Sequence, residues 1–231
     1  MKLFRLSLLA LLCATTLLSC KKDDEGQNPN PQPEPVITTY DNYSALKVGN
    51  YWIYEYFDVD SMGNATSKNL FDSCYVKNDT IINGNTYYRL VQPSAYFSDP
   101  TIYPQSRLLR DSLHYIVGSR GGIQFSSQDF STVFASRYQI EMQNDTLGLI
   151  TVKMEPSPTT VTVPAGTFST LNFRRTFNLY PNWSGPRNYG YEHSRYAKDV
   201  GLVVQTMPSY LLQLRLGMSV EKRLIRYHVQ P

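Results

Sequence analysis

Histidine is scarce in this 231-residue chain, and the three that occur, His114, His193 and His228, are too far apart for metal-ligand spacing. The chain has no His-Glu-x-x-His, no G-x-S-x-G elbow and no glycine-rich phosphate loop, so nothing supports metalloprotease, α/β-hydrolase or P-loop chemistry. Asp58-Val59-Asp60-Ser61-Met62-Gly63 begins as a calcium loop does. Met62 replaces an oxygen ligand, however, and Asn69 stands where the bidentate Glu belongs, so the segment reads as a hairpin turn. Glu141, Glu155 and Glu192 are carboxylates that could pair across a sheet, though linear sequence does not place them at glycosidase separation. Excess charge of one sign is missing too: 22 Lys and Arg oppose 19 Asp and Glu, which argues against a nucleic-acid partner. No stretch carries the period of a long amphipathic helix. The sequence therefore predicts no catalytic residues, no metal, no cofactor and no enzyme activity.

The beginning of the chain is more informative. Lys2 and Arg5 precede an apolar run from Leu6 to Leu18 that is too short for a permanent membrane span. The run ends in Leu17-Leu18-Ser19-Cys20, which resembles the bacterial lipobox; an ordinary secretory signal would want a small-x-small site, and Leu17 and Ser19 fit that poorly. The resemblance implies that residues 1–19 are a signal peptide, that the Cys20 thiol carries diacylglycerol, and that a fatty acid such as palmitate acylates the new amino terminus. Several acyl chains on one residue suffice for stable anchoring, so the membrane partner is reached through lipid. Lys22, Asp23 and Asp24, inside Lys21-Lys22-Asp23-Asp24-Glu25, resemble the export signal of Bacteroidota surface lipoproteins. That implies an outer-membrane, cell-surface address, with the periplasmic face as the alternative.

Gly26 to Pro35 alternates Pro with Asn, Gln and Glu, a composition that favours extended chain and cannot bury a core. Residues 20–40 thus read as a lipidated, disordered tether, and 41–231 as a single β-rich domain. Cys13 leaves with the signal and Cys20 is acylated, so Cys74 has no disulfide partner and reads as a buried structural thiol.

Strand signals fill the domain. Tyr51 to Phe57 is dense in aromatic and β-branched residues, and reads as a strand covered on both faces. Asn83-Gly84 lies between two such runs and supplies the positive-φ pair of a tight hairpin. Pro164-Ala165-Gly166 sets another turn, after which Leu171, Phe173, Arg175 and Phe177 alternate with polar positions. Leu212, Leu214 and Leu216 alternate likewise, as do Arg223, Ile225, Tyr227 and Val229. His114 and the other two histidines fall on expected strands. Short helical pieces are expected only near Asp41–Leu46 and Ser127–Ala135. The pattern predicts a mainly β fold, either a single strongly curved antiparallel sheet or a partly open β-barrel, with few short helices.

Four segments, Leu46 to Trp52, Ile82 to Tyr88, Val163 to Phe168 and Tyr196 to Val203, follow a "VGNYW … INGxTYY … VPAGTF … YAxxVGLV" layout. This layout resembles a broad set of Bacteroidota surface and outer-membrane lipoproteins, over nearly all of the folded part. The resemblance implies a strongly curved antiparallel sheet with a concave face, comparable to the LolA-like lipoprotein carriers, and implies no activity.

What the sequence has in excess is aromatic side chains: 18 Tyr, 10 Phe and 2 Trp. Tyr180, Trp183, Tyr189 and Tyr191 lie in a turn-rich segment, where loop-borne rings suit ligand contact. Asp60-Ser61-Met62, Asp79-Thr80-Ile81, Asp111-Ser112-Leu113 and Asp145-Thr146-Leu147 resemble the O-glycosylation acceptor of extracytoplasmic Bacteroidota proteins, with Ser61, Thr80, Ser112 and Thr146 as acceptors. The same residues also favour Asx-type turns. Two non-catalytic functions fit. In one, an envelope lipoprotein carries a lipid or other amphiphile in a concave groove. In the other, a surface scaffold without a cavity meets a glycan or a protein partner through aromatic loops.

Overall fold

The alternation within Tyr51–Val59, the first strand β1, puts Trp52, Tyr54 and Tyr56 on one buried face and leaves Tyr51, Ile53 and Glu55 half covered on the other. This strand belongs to a computed structural model that describes residues 39–96, 99–103, 105–140, 146–181, 191–206 and 217–230. After β1, Asp60 accepts the Met62 and Asn64 amides at 2.9 and 2.8 Å, closing the turn into β2 (Ala65–Ile82). Asn83 and Gly84, with φ of 49° and 75°, then turn the chain into β3 (Asn85–Val91). A small hairpin of β4 (Ser94–Tyr96) and β5 (Asp99–Tyr103) precedes β6 (Ser106–Ser112), β7 (Tyr115–Gly118) and β8 (Ile123–Ser126). The remaining strands are β9 (Ala135–Ile140), β10 (Thr146–Met154), β11 (Thr159–Val163), β12 (Gly166–Leu179), β13 (Tyr191–Ala197), β14 (Gly201–Thr206) and β15 (Ser219–His228).

All but β4 and β5 join one 13-stranded antiparallel sheet in the order β8-β7-β6-β3-β2-β1-β15-β14-β13-β12-β10-β9, with β11 beside β12. Among the described residues no ladder joins β8 to β9, so the described sheet is open. It is nevertheless strongly curled. The β8 ring of Phe125 lies 4.7 Å from Tyr196 of β13, and the Ser126 amide meets the Met154 sulfur of β10 at 3.4 Å. Register shifts at Ile53/Tyr54, Glu55/Phe57 and Arg195/Tyr196 are bulges, which bend strands and increase their twist. The expectation of a mainly β, strongly curved antiparallel sheet therefore holds.

The end where β1 begins and β15 finishes is termed lower, the opposite end upper. Trp52, Tyr54, Leu109, Phe125, Met154, Leu171, Val203 and Leu224 pack the lower interior. Trp52 Nε1 donates to the Val200 carbonyl at 2.6 Å, and its ring lies against Gly201, where an added Cβ would meet it at 3.4 Å. With φ at +94°, Gly201 is required both by backbone and by this contact.

Three expectations are corrected. Neither short helix forms. Asn42 Oδ1 takes the Ser44 and Ala45 amides, and Ala45 adopts a φ of 49°. Ser126 Oγ takes the Gln128 and Asp129 amides, and Asp129 takes those of Ser131 and Thr132. Each side chain thereby satisfies donors that a helix would have used. Arg223, Ile225, Tyr227 and Val229 do not form one continuous face, because the bulge at Ile225 interrupts the alternation, and the buried row before it is Val220, Lys222 and Leu224. His114 lies in the β6–β7 turn, while His193 and His228 are on strands. The row Leu212, Leu214 and Leu216 lies outside the described residues.

Candidate functional site

The inward rows change character from lower to upper end. On β2 the row runs Val76, Cys74, Asp72; on β3 and just past its end Leu90, Gln92; on β12 Leu171, Phe173, Arg175; and on β15 Leu224, Lys222. On β6, which runs the other way, Arg107 stands above Leu109. The upper interior is consequently a polar pit of about 270 Å³, walled by side chains of β6, β8, β10 and β12–β15 and by Gln92, Pro93 and Gln105 from the segments after β3 and before β6. Directly below it lies an apolar void of about 40 Å³ against Trp52, Leu109 and Ile116, and Gln92, Arg107 and Tyr196 border both spaces.

At the base of the pit Lys222 is buried. Its ammonium stands 3.6 Å from Asp72 Oδ2, donates to Cys74 Sγ at 3.9 Å and lies 4.7 Å from the centre of the Tyr54 ring. Asp72 is equally buried and also accepts from Tyr56 Oη at 2.7 Å and from Cys74 Sγ at 3.7 Å. A buried charge needs such compensation to remain charged. Burial pushes the Cys74 thiol up to about 12 despite the nearby ammonium, which leaves it protonated and unreactive at neutral pH.

The pit wall repeats the principle. Arg175 donates to Glu192, whose carboxyl is pushed up by burial and pulled back by that guanidinium. Gln92 accepts from Arg107 and donates to Gln205 Oε1 at 3.2 Å, and Arg107 also donates to Gln124 Oε1 at 3.3 Å. On the outer face behind this wall, Asn172 Nδ2 donates to both Glu155 Oε2 and His193 Nδ1 at 2.7 Å. Burial, assisted by the Arg195 charge, holds His193 down at about 4, so its ring is neutral and able to accept. Glu155 also accepts from Arg174, and the Arg174 guanidinium covers the Tyr191 ring at 3.6 Å. Asn172 Oδ1 and Arg174 Nε are the buried side-chain polar atoms left without a partner among the described residues.

Among the residues singled out from sequence, Cys20, Lys22, Asp23, Asp24, Trp183 and Tyr189 lie outside the described residues. Tyr180 follows the end of β12 and is half-buried; Tyr191 opens β13 under Arg174, on a strand and not in a loop. The structure does not bring these two rings to the pit. Ser61 is exposed in the β1–β2 turn, Thr80 and Ser112 are half-buried near the ends of β2 and β6, and Thr146 opens β10. The apolar residues following the first three, Met62, Ile81 and Leu113, are 82%, 73% and 68% exposed. Glu155 and Glu192 face opposite sides of the sheet and do not pair; Glu141 lies outside the described residues. Among the described residues no three His, Cys, Asp or Glu side chains are grouped to hold a metal ion.

Sequence reading missed Lys222, Arg107 and Gln92, and it singled out Glu192 only as a possible partner for another carboxylate and not for Arg175. The available signal was a cation in an apolar row, Val220-x-Lys222-x-Leu224, beside the alternating row that begins at Arg223. Arg175 did appear in its alternating row with Leu171 and Phe173.

No family model and no curated protein matches the chain. Two solved structures are similar in fold. One is an inferred exported protein with YmcC-like fold from Bacteroides fragilis, at 14% identity, covering 82% of this chain and all of that one, with a TM-score of 0.48. The other is an inferred lipoprotein from Parabacteroides distasonis, at 14% identity, covering 83% of this chain and all of that one, with a TM-score of 0.49. At this identity the likeness concerns fold alone.

Proposed function

We propose that the chain is a lipid-anchored envelope lipoprotein that holds a small hydrophilic ligand in the upper pit without transforming it. The anchor rests on Cys20 and the signal sequence before it. The observation that carries the binding role is the pit itself, a concave space inside the curled sheet lined by guanidinium, amide and hydroxyl groups. An acyl chain placed there would strip water from Arg175, Gln205 and Thr206 and return no hydrogen bond, which is costly. The apolar void below has room for little more than a methyl group. A hydrophilic ligand matches the lining and distinguishes this role from amphiphile carriage. The protonated Cys74 and the Asp72-paired Lys222 are consistent with a non-catalytic role.

The test is native mass spectrometry of the full lipoprotein purified from its own host, beside the same sample denatured and beside Ser194→Trp, which fills the pit. A mass excess that denaturation removes and that the variant lacks is expected. An excess with the mass of an acyl lipid, an excess unchanged in Ser194→Trp, or no excess at all would overturn the proposal. The anchor is checked by labelling with radioactive palmitate, which Cys20→Ala abolishes.

A further inference from the structure

The charges in the pit do not balance. Arg175 has Glu192, and Lys222 has Asp72. Arg107 bonds to neutral amide oxygens of Gln92 and Gln124, and no ion pair joins it to a carboxylate among the described residues. Its position is fixed from two sides. Gln92 is buried and tied onward to Gln205, and the Gln92 amide donates to the Gln105 carbonyl at 2.8 Å, closing the connection that leads into β6. The guanidinium is therefore preorganised, solvent-accessible and without a counter-ion, at the boundary between pit and void. Such a fork binds two oxygens of a carboxylate, or of a tetrahedral oxyanion such as a sulfate group, by two parallel hydrogen bonds.

The rest of the wall specifies what else the ligand carries. Gln105, Gln124 and Gln205 each offer both an acceptor and donors, and Ser194 and Thr206 add hydroxyls. Such a lining matches several hydroxyl groups on one small ring. At about 270 Å³ the pit is below the size of common drug-sized sites, which begin near about 300 Å³, and suits a single sugar residue. With one cation left unpaired, the pit accommodates one negative charge, and a dianion would bring a second that no group of the wall pairs.

We propose that the pit recognises an acidic sugar bearing one carboxylate or sulfate group, which Arg107 receives while the amide and hydroxyl wall receives the ring hydroxyls. This rests on the reading of the pit as a ligand site. The ligand is a free uronic or sulfated monosaccharide, or the corresponding terminal residue of a glycan.

Isothermal titration of the full lipoprotein in detergent with glucuronate, glucose 6-sulfate and glucose tests it. At least one acid is expected to bind at least about tenfold more tightly than glucose, the effect of one charge-assisted hydrogen bond, and which acid binds separates carboxylate from sulfate. Arg107→Gln should remove that preference while keeping the thermal midpoint, and Arg107→Lys should restore part of it. Added salt should weaken the acid and not the neutral sugar. Equal binding of glucose and the acids, acid binding unchanged in Arg107→Gln, or no heat where a millimolar complex would saturate overturns the inference. If glucose binds equally well and Ser194→Trp abolishes it, the pit remains a ligand site and its preference for an acid alone is wrong.

Discussion

The lower and upper interiors are built from the same strands to opposite specifications. Leu224, Leu171, Leu109 and Val76 fill the lower end, while Lys222, Arg175, Arg107 and Asp72 hold inward positions higher on the same strands. Strand alternation decides which residues face inward, but not whether they are apolar. The lower end gains stability from burial, at about 25 cal/mol per Å² of apolar surface. The upper end spends part of that gain holding buried charges and amides in fixed geometry, since a buried ion pair seldom repays its desolvation. A pit at the open end of the sheet is therefore a continuation of the core rows with polar side chains substituted, and needs no separate element to form it.

The sharpest way to break this comparison is to remove one half of the buried pair. Asp72→Ala leaves the Lys222 ammonium buried and uncompensated, and should cost about 3–5 kcal/mol in urea unfolding. Asp72→Ala combined with Lys222→Met should recover most of that loss, because neither charge then remains. If the double variant is as unstable as the single one, the pair is structural and the upper end is a core like the lower. At the lower end, Leu224→Ala removes a fully buried side chain and should cost about 2–5 kcal/mol, with no change in ligand mass excess. A lost mass excess in a folded Leu224→Ala protein would show that the two ends are mechanically coupled.

How much of this was legible in the sequence follows the same division. The Asn83-Gly84 and Pro164-Ala165 turns, the β1 strand and the curved antiparallel sheet are written in local patterns, because turn φ and strand alternation depend on near neighbours. The pit was not legible. Asp72 and Lys222 are 150 positions apart and meet only through the pairing of β1 with both β2 and β15. The bulge at Ile225 also breaks the alternation of Arg223, Ile225, Tyr227 and Val229 into two faces, which the sequence pattern does not reveal. The two short helices failed for a different reason: Asn42, Ser126 and Asp129 bond their own neighbouring amides, a competition that composition alone does not resolve.

The smallest expected effect concerns the outer face behind the pit, where protonation tests whether the upper end is held by neutral acceptors. Burial, with the Arg195 and Arg174 charges and against that of Glu155, keeps His193 at about 4, below the ordinary value of 6.5 for the unfolded chain. Between these values the unfolded state binds the proton and the folded state does not, so stability is fully present above pH 6.5 and is lost as pH falls toward 4. The loss is bounded by about 1.4 kcal/mol per pH unit for one proton. His193→Gln cannot titrate yet can still accept from Asn172, so urea midpoints of the two proteins should diverge between pH 6.5 and 5. The difference between them isolates His193 from Glu192, whose raised carboxyl shifts stability in the opposite sense in both proteins. Parallel curves would mean that the folded ring protonates freely. The Asn172 contact would then not need a neutral acceptor, and the polar upper end would be held together by its ion pairs alone.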